Sequence, residues 1–191
     1  MRVIVLILLS LSSFFLNAQE LWKGAMYGDS VEKVLALFPQ HEKPSTEAEL
    51  RKIGQTSLKA LVVVPIELVK RPFESVLFFD KNGLFQVIIK SKSLLTHAEA
   101  KSTEDFLLVA LRSKYGNAIK TVDPLEVITE NKPFWAQWEI NALKILFVSQ
   151  HEKDSIMISY SLTDAEKDLL ENAAAKKHLE GTSVNQEAEK L

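Results

Sequence analysis

Two apolar runs rich in β-branched and aromatic residues, Phe73 to Phe79 and Leu84 to Lys90, are joined by Asp80-Lys81-Asn82-Gly83. Asp and Asn tolerate the backbone of a tight turn and Gly83 supplies a left-handed position, so the segment predicts a β-hairpin. A tight turn can join only antiparallel strands, because parallel neighbours need a crossover of about a dozen residues or more. This one feature therefore excludes a purely parallel, doubly wound sheet, and it demands a second layer to cover the hairpin's apolar face.

The same grammar recurs along the chain. Leu58 to Val69 reads as a strand broken by Pro65. In a second block, Phe134 to Ile140 places Phe134, Ala136, Trp138 and Ile140 on one side, and Asn141-Ala142 turns the chain. Leu143 to Ser149 returns with Leu143, Ile145 and Phe147 together; Gln150 to Asp154 is a polar turn. Ser155 to Leu162 then alternates Ile156, Ile158, Tyr160 and Leu162 against Met157, Ser159 and Ser161, the period of two that marks a half-buried strand.

Helices separate these blocks. Asp29-Ser30-Val31-Glu32 opens the first, with Asp29 as the cap and Glu32 as its reciprocal partner. Its apolar face is Val31, Val34, Leu35 and Phe38, and Pro39 ends it. His41 to Gly54 is polar, with a turn or two of helix expected over Glu47 to Ile53. Thr96-His97-Ala98-Glu99 is a second capping box, followed by the stripe Phe106, Leu107, Ala110, Leu111 and the terminator Gly116. Thr163-Asp164-Ala165-Glu166 opens a third helix with a thin apolar face of Leu169, Leu170 and Ala173 to Ala175. The order α-βββ-α-βββ-α predicts an α+β fold, an antiparallel sheet or sheets with helices packed on one face. The two α-βββ halves allow a diverged duplication. A single domain is expected over 19–178, with a polar, frayed tail at 179–191.

The N-terminus reads as an address rather than as fold. Arg2 is followed by the apolar stretch Val3 to Leu16 and then Asn17-Ala18-Gln19, with Leu16 and Ala18 at the −3 and −1 positions of a cleavage site. That stretch is shorter than the roughly 20 residues needed to span a bilayer. A cleaved secretion signal over residues 1–18 and a periplasmic or secreted location are therefore expected. The chain contains no cysteine, which removes disulfide scaffolds, thiol nucleophiles, thiolate metal sites and lipid attachment at a cleavage-site cysteine. Its 23 basic and 25 acidic side chains give no electrostatic footprint for nucleic acid.

Gly28-Asp29-Ser30-Val31 looks like the nucleophile block of the Gly-Asp-Ser-Leu hydrolases. The apolar strand that should precede it is absent, and no histidine has aspartate three residues before it, so a glycine turn with a helix cap satisfies the same residues. The four histidines show no metal-binding spacing. Glu104 and Asp105 are adjacent on a helix and diverge. No cofactor site and no catalytic set emerge. The residues with binding character are aromatic. Trp135 shares a strand face with Gln137 and Glu139, opposite the core residue Trp138, which makes Trp135 and Gln137 a candidate contact surface. Trp22 is a second candidate, or a staple of the N-terminus to the sheet.

Two segments carry a family resemblance: Gly28-x-Ser30-x-x-x-Val34, opening a helix, and the hairpin Phe78-Phe79-Asp80-Lys81-Asn82-Gly83-Leu84. Together they resemble small exported α/β envelope modules, the small-protein-A-type outer-membrane assembly proteins and the β-lactamase-inhibitor-like fold. The resemblance implies helices on an antiparallel sheet and action by binding proteins; without a cysteine, lipid tethering does not carry over. The expectation is a non-catalytic periplasmic binding or accessory module with an envelope protein partner. The alternatives are a small-molecule or lipid binder using the concave sheet face and, further off, a hydrolase using Ser30.

Overall fold

The computed structural model describes residues 19–44, 50–53, 56–93, 95–122, 127, 132–150 and 154–173. The expected signal segment, the tail, His151, His178 and the pair Ala174-Ala175 lie outside the described residues. The chain is α+β. A small antiparallel pair, β1 (Glu20–Trp22) and β2 (Ala25–Met26), leads into α1 (Val31–Leu37). The first β block is β3 (Leu50–Ile53), β4 (Thr56–Leu68), β5 (Arg71–Asp80) and β6 (Gly83–Ser91). After α2 (His97–Tyr115) come β7 (Lys120–Thr121), β8 (Phe134–Ile140), β9 (Leu143–Gln150) and β10 (Ser155–Leu162). A third helix, α3, occupies residues 164–173.

Both β blocks belong to one antiparallel sheet, in the order β3-β4-β5-β6-β10-β9-β8-β7. Each block is a meander, and they join through their last strands: Val87 pairs with Tyr160 and Ile88 with Ser159 at the centre of β6 and β10. The first face of the sheet carries the main core. Val62, Leu77, Val87, Trp138, Phe147 and Ile158 pack there with Val34 and Phe38 from α1 and with Leu107, Leu108 and Leu111 from α2. On the second face Leu58, Val76, Phe78, Phe85 and Ile88 form a smaller cluster, against which Tyr27 and Met157 pack.

A polar hook holds the end of α2 to the sheet. The Trp138 indole Nε1 donates to the Gly116 carbonyl at 2.9 Å. Burial first, then the neighbouring Tyr115 phenol, pushes the pKa of the Tyr160 phenol well above the ordinary range.

Several local expectations shift for identifiable reasons. The cap of α1 is Ser30, whose hydroxyl accepts the Lys33 N–H, because Asp29 is engaged elsewhere: its carboxylate accepts the Met26 N–H and pairs with Lys33. The capping box of α2 is complete, with Thr96 and Glu99 exchanging hydrogen bonds. At α3 the Thr163 hydroxyl accepts the Glu166 N–H, but the Thr163 N–H goes to Ala142 instead of back to Glu166. The α2 stripe is rotated relative to the expectation: Ala100, Thr103, Glu104, Leu107, Leu108 and Leu111 face inward, whereas Phe106 and Ala110 face out. Leu50 to Ile53 forms strand rather than helix, pairing with Thr56 to Lys59.

Pro65 does not break β4. The Val63 N–H points away from β5 to the Glu42 carbonyl, so the nitrogen of Pro65, two residues on, also points outward. There β3, which pairs only with residues 56–59, no longer runs, and a missing donor costs no ladder bond.

The β4–β5 hairpin turns on Val69-Lys70, both at positive φ (52° and 57°), the backbone of a type I′ turn. Asn-Gly is favoured there, and a β-branched residue is strained by about 1–3 kcal/mol. The double replacement Val69→Asn/Lys70→Gly is expected to stabilise the chain by about 1–2 kcal/mol. It should appear as a higher urea midpoint at constant m-value; a lower midpoint would mean that the Val69 side chain contributes packing that outweighs its strain.

Candidate functional site

The second face of the sheet changes character along its width. Over β4 to β6 it carries the buried apolar cluster; over β9 and β8, with Met157 of β10, it is half-exposed and mixed, while Ser159 and Ser161 of β10 are buried. Strand alternation places three cross-strand rows there. Trp135, Val148 and Met157 stand side by side, continuing to Lys90 and Glu74, which pair at 3.3 Å. Gln137, Leu146 and Ser159 form the second row, running on to Ile88. Glu139, Lys144, Ser161 and Gln86 form the third. Trp135, Gln137, Leu146, Val148 and Met157 are all half-buried, so each presents part of its surface.

The backbone under this patch is fixed. The Trp135 carbonyl accepts both the Val122 N–H and the Thr121 hydroxyl at 3.1 Å, which ties the β8 edge to the preceding segment. The Gln137 amide donates to Glu139 at 2.7 Å, within its own strand face. Lys144 reaches Asp164 of α3 at 2.9 Å, and that hydrogen-bonded ammonium holds the Asp164 carboxyl below the usual carboxylate range.

A polar floor lies at the boundary between the two halves of the face. Phe85 is the extra residue of a β-bulge against β5, since Phe78 pairs with Gln86 and Phe79 with Leu84. Gln86, 6% exposed, donates from Nε2 to the Ser159 hydroxyl at 2.7 Å. Its Oε1 is buried without a hydrogen-bond partner among the described residues. An unmade bond of this kind costs about 1–3 kcal/mol. Periodicity could place Ser159 and Ser161 on this face, but Gln86 was hidden because the bulge interrupts the alternation of β6.

The other candidate residues are not brought to this surface. Trp22 is 8% exposed and stacks on Phe38 with ring centroids 5.2 Å apart, inside the first-face core. There it ties the N-terminal pair to the α1 end of the core. Ser30 sits at the start of α1 as the helix cap. The Glu32 carboxyl is held below its ordinary range, first by its own backbone N–H and then by the Ser30 hydroxyl. The Gly28-Asp29 turn carries structural bonds, with the Gly28 N–H donating to the Leu84 carbonyl and the Leu84 N–H to the Asp29 carbonyl, both at 2.8 Å.

Glu104 is buried and Asp105 exposed, with the Lys101 ammonium bonded to both at 2.9 and 3.0 Å. Their adjacency makes a surface ion-pair group, not a convergent acid and base. His41 faces the Phe38 carbonyl and His97 faces Asp154. Among the described residues no three histidine or carboxylate side chains gather to hold a metal ion, and no helix is long and apolar enough to cross a membrane. No protein-family model, curated protein or solved structure matches the chain.

Proposed function

We propose that the chain is an exported, non-catalytic binding module that engages a protein of the cell envelope through the open half of its second sheet face. The observation that carries this reading is the row Trp135–Val148–Met157 beside Gln137–Leu146, a half-exposed apolar surface with a polar border. Aromatic anchors ringed by polar residues are the usual core of a protein contact. Export rests on the N-terminal pattern of residues 1–18. The resemblance to small exported envelope modules agrees with this reading in fold type and in mode of action. We further propose that the two α-βββ halves descend from a duplication; their matching meanders, joined antiparallel through equivalent last strands, support it.

A photo-crosslinker at Gln137 tests the proposed surface. It is expected to yield a discrete adduct in envelope fractions that excess unlabelled chain suppresses. Trp135→Ala competitor should need about tenfold more protein or higher for the same suppression. Equal adducts from a control crosslinker at Asp168, or equal competition by the variant, would remove this face from consideration.

A small-molecule binder is the second reading, and the buried Gln86 Oε1 is the observation in its favour. A ligand with an N–H or O–H donor would satisfy that oxygen. Native mass spectrometry of the purified chain distinguishes the readings: a retained mass lost in Gln86→Leu supports the ligand, and a bare chain supports the protein partner.

A further inference from the structure

The rotation of α2 that turns Phe106 outward leaves a second apolar stripe on the side of the helix away from the sheet. Phe106 and Val109 are each 64% exposed, and Ser102, Ala110 and Ser113 are exposed beside them. Positions 102, 106, 109 and 113 are spaced four, three and four apart, the spacing of the seam in a helix pair. No charged side chain interrupts them; Asp105 and Arg112 stand along one flank, seven residues apart. Asp105 shares Lys101 with Glu104, while Arg112 has no ion-pair partner among the described residues.

This arrangement is self-complementary under a two-fold axis. If two copies of α2 lie antiparallel with Phe106 of one against Val109 of the other, Ser102 faces Ser113. Asp105 of each copy then flanks Arg112 of the other. Both flanking contacts join opposite charges, whereas a parallel two-fold pair would put the Asp105–Arg112 flanks of the two copies on opposite sides of the seam, where neither charge meets its complement. We propose that the outer face of α2 is a homodimer interface, occupied by the same face of a second copy in antiparallel orientation. The seam is about 17 Å long, which places the contact at the small end of specific interfaces, below about 1,200 Å². The dimer is accordingly reversible, with Kd on the order of 10–300 µM. Because α2 lies on the first face of the sheet, the pairing leaves the second face of both copies uncovered, and the dimer presents two Trp135 surfaces.

Sedimentation velocity of the chain, measured up to about 1 mM, tests the interface. The wild type is expected to shift from monomer to dimer across that range. Phe106→Asp should remain monomeric, weakened by about a hundredfold or more because two copies of the change meet in each dimer. Its melting curve should match that of the wild-type monomer, since the side chain is exposed. Asp105→Arg and Arg112→Asp should each weaken association by about tenfold, and the double variant should recover to within about threefold of wild type. A monomeric wild type, a Phe106→Asp variant that still dimerises, or a double variant no better than the singles would each overturn the proposal.

Discussion

Gly83→Ala is expected to destabilise the chain by about 3–5 kcal/mol, a large part of the 5–15 kcal/mol that an ordinary domain has in total. Gly83 has φ +122°, outside the range that L side chains adopt. The steric cost is separate and larger. A β-carbon there would overlap the Gly28 carbonyl and lie 2.8 Å from the Asp29 carbonyl oxygen, and both obstacles are backbone. Relief requires the Gly28-Asp29 turn to withdraw from the hairpin. That endangers the two hydrogen bonds to Leu84 and moves the start of α1. The melting temperature should fall by about 10 °C or more. Gly24→Ala is the control: Gly24 also has positive φ, +84°, but a β-carbon there meets nothing within 4 Å. It should cost only about 1 kcal/mol. Equal losses for the two variants would show that the hairpin tip is not docked on the turn.

That docking also explains why Gly28-Asp29-Ser30 resembles a nucleophile block. Each of the three residues serves packing. Gly28 turns the chain against Leu84, Asp29 ties Met26 to Lys33, and Ser30 caps α1. A short motif of turn and capping residues is shared by many tight turns, whatever chemistry follows.

Legibility in the sequence followed the range of the interaction. The hairpin at Asp80 to Gly83, the alternation of β8 to β10 and the α2 capping box are specified by neighbours within a few residues, and all three were readable. The Val69-Lys70 turn was not, because its residues contradict the backbone they adopt and only strand pairing enforces it. The union of the two β blocks depends on β6 meeting β10 across the whole of α2, a contact no local pattern encodes. The α2 stripe was ambiguous for another reason: two apolar faces interleave in His97 to Tyr115, and a period of 3.6 fits either. At the candidate site, Trp135 and Gln137 were placed by alternation alone. Leu146 and Val148 were readable in principle, since β9 is apolar on both sides and a purely solvated face would not be.

Two tryptophans three residues apart on β8 should separate stability from binding. Trp138→Ala is expected to cost about 3–5 kcal/mol. The ring is 1% exposed, among the largest side chains in the core, and its removal leaves a cavity between β8 and the end of α2. It also removes the indole donor to Gly116, the hook that holds that end of the helix. Trp138→Phe keeps most of the ring and loses the hook, so it should cost about 1–2 kcal/mol. Trp135→Ala, half-exposed on the opposite face, should cost at most about 1 kcal/mol while weakening the proposed envelope contact. Chemical denaturation of the three variants, paired with crosslinking competition, reads both quantities. If Trp135→Ala unfolds the chain as Trp138→Ala does, the second face is a core that some further segment covers, and its role as an open contact surface is lost.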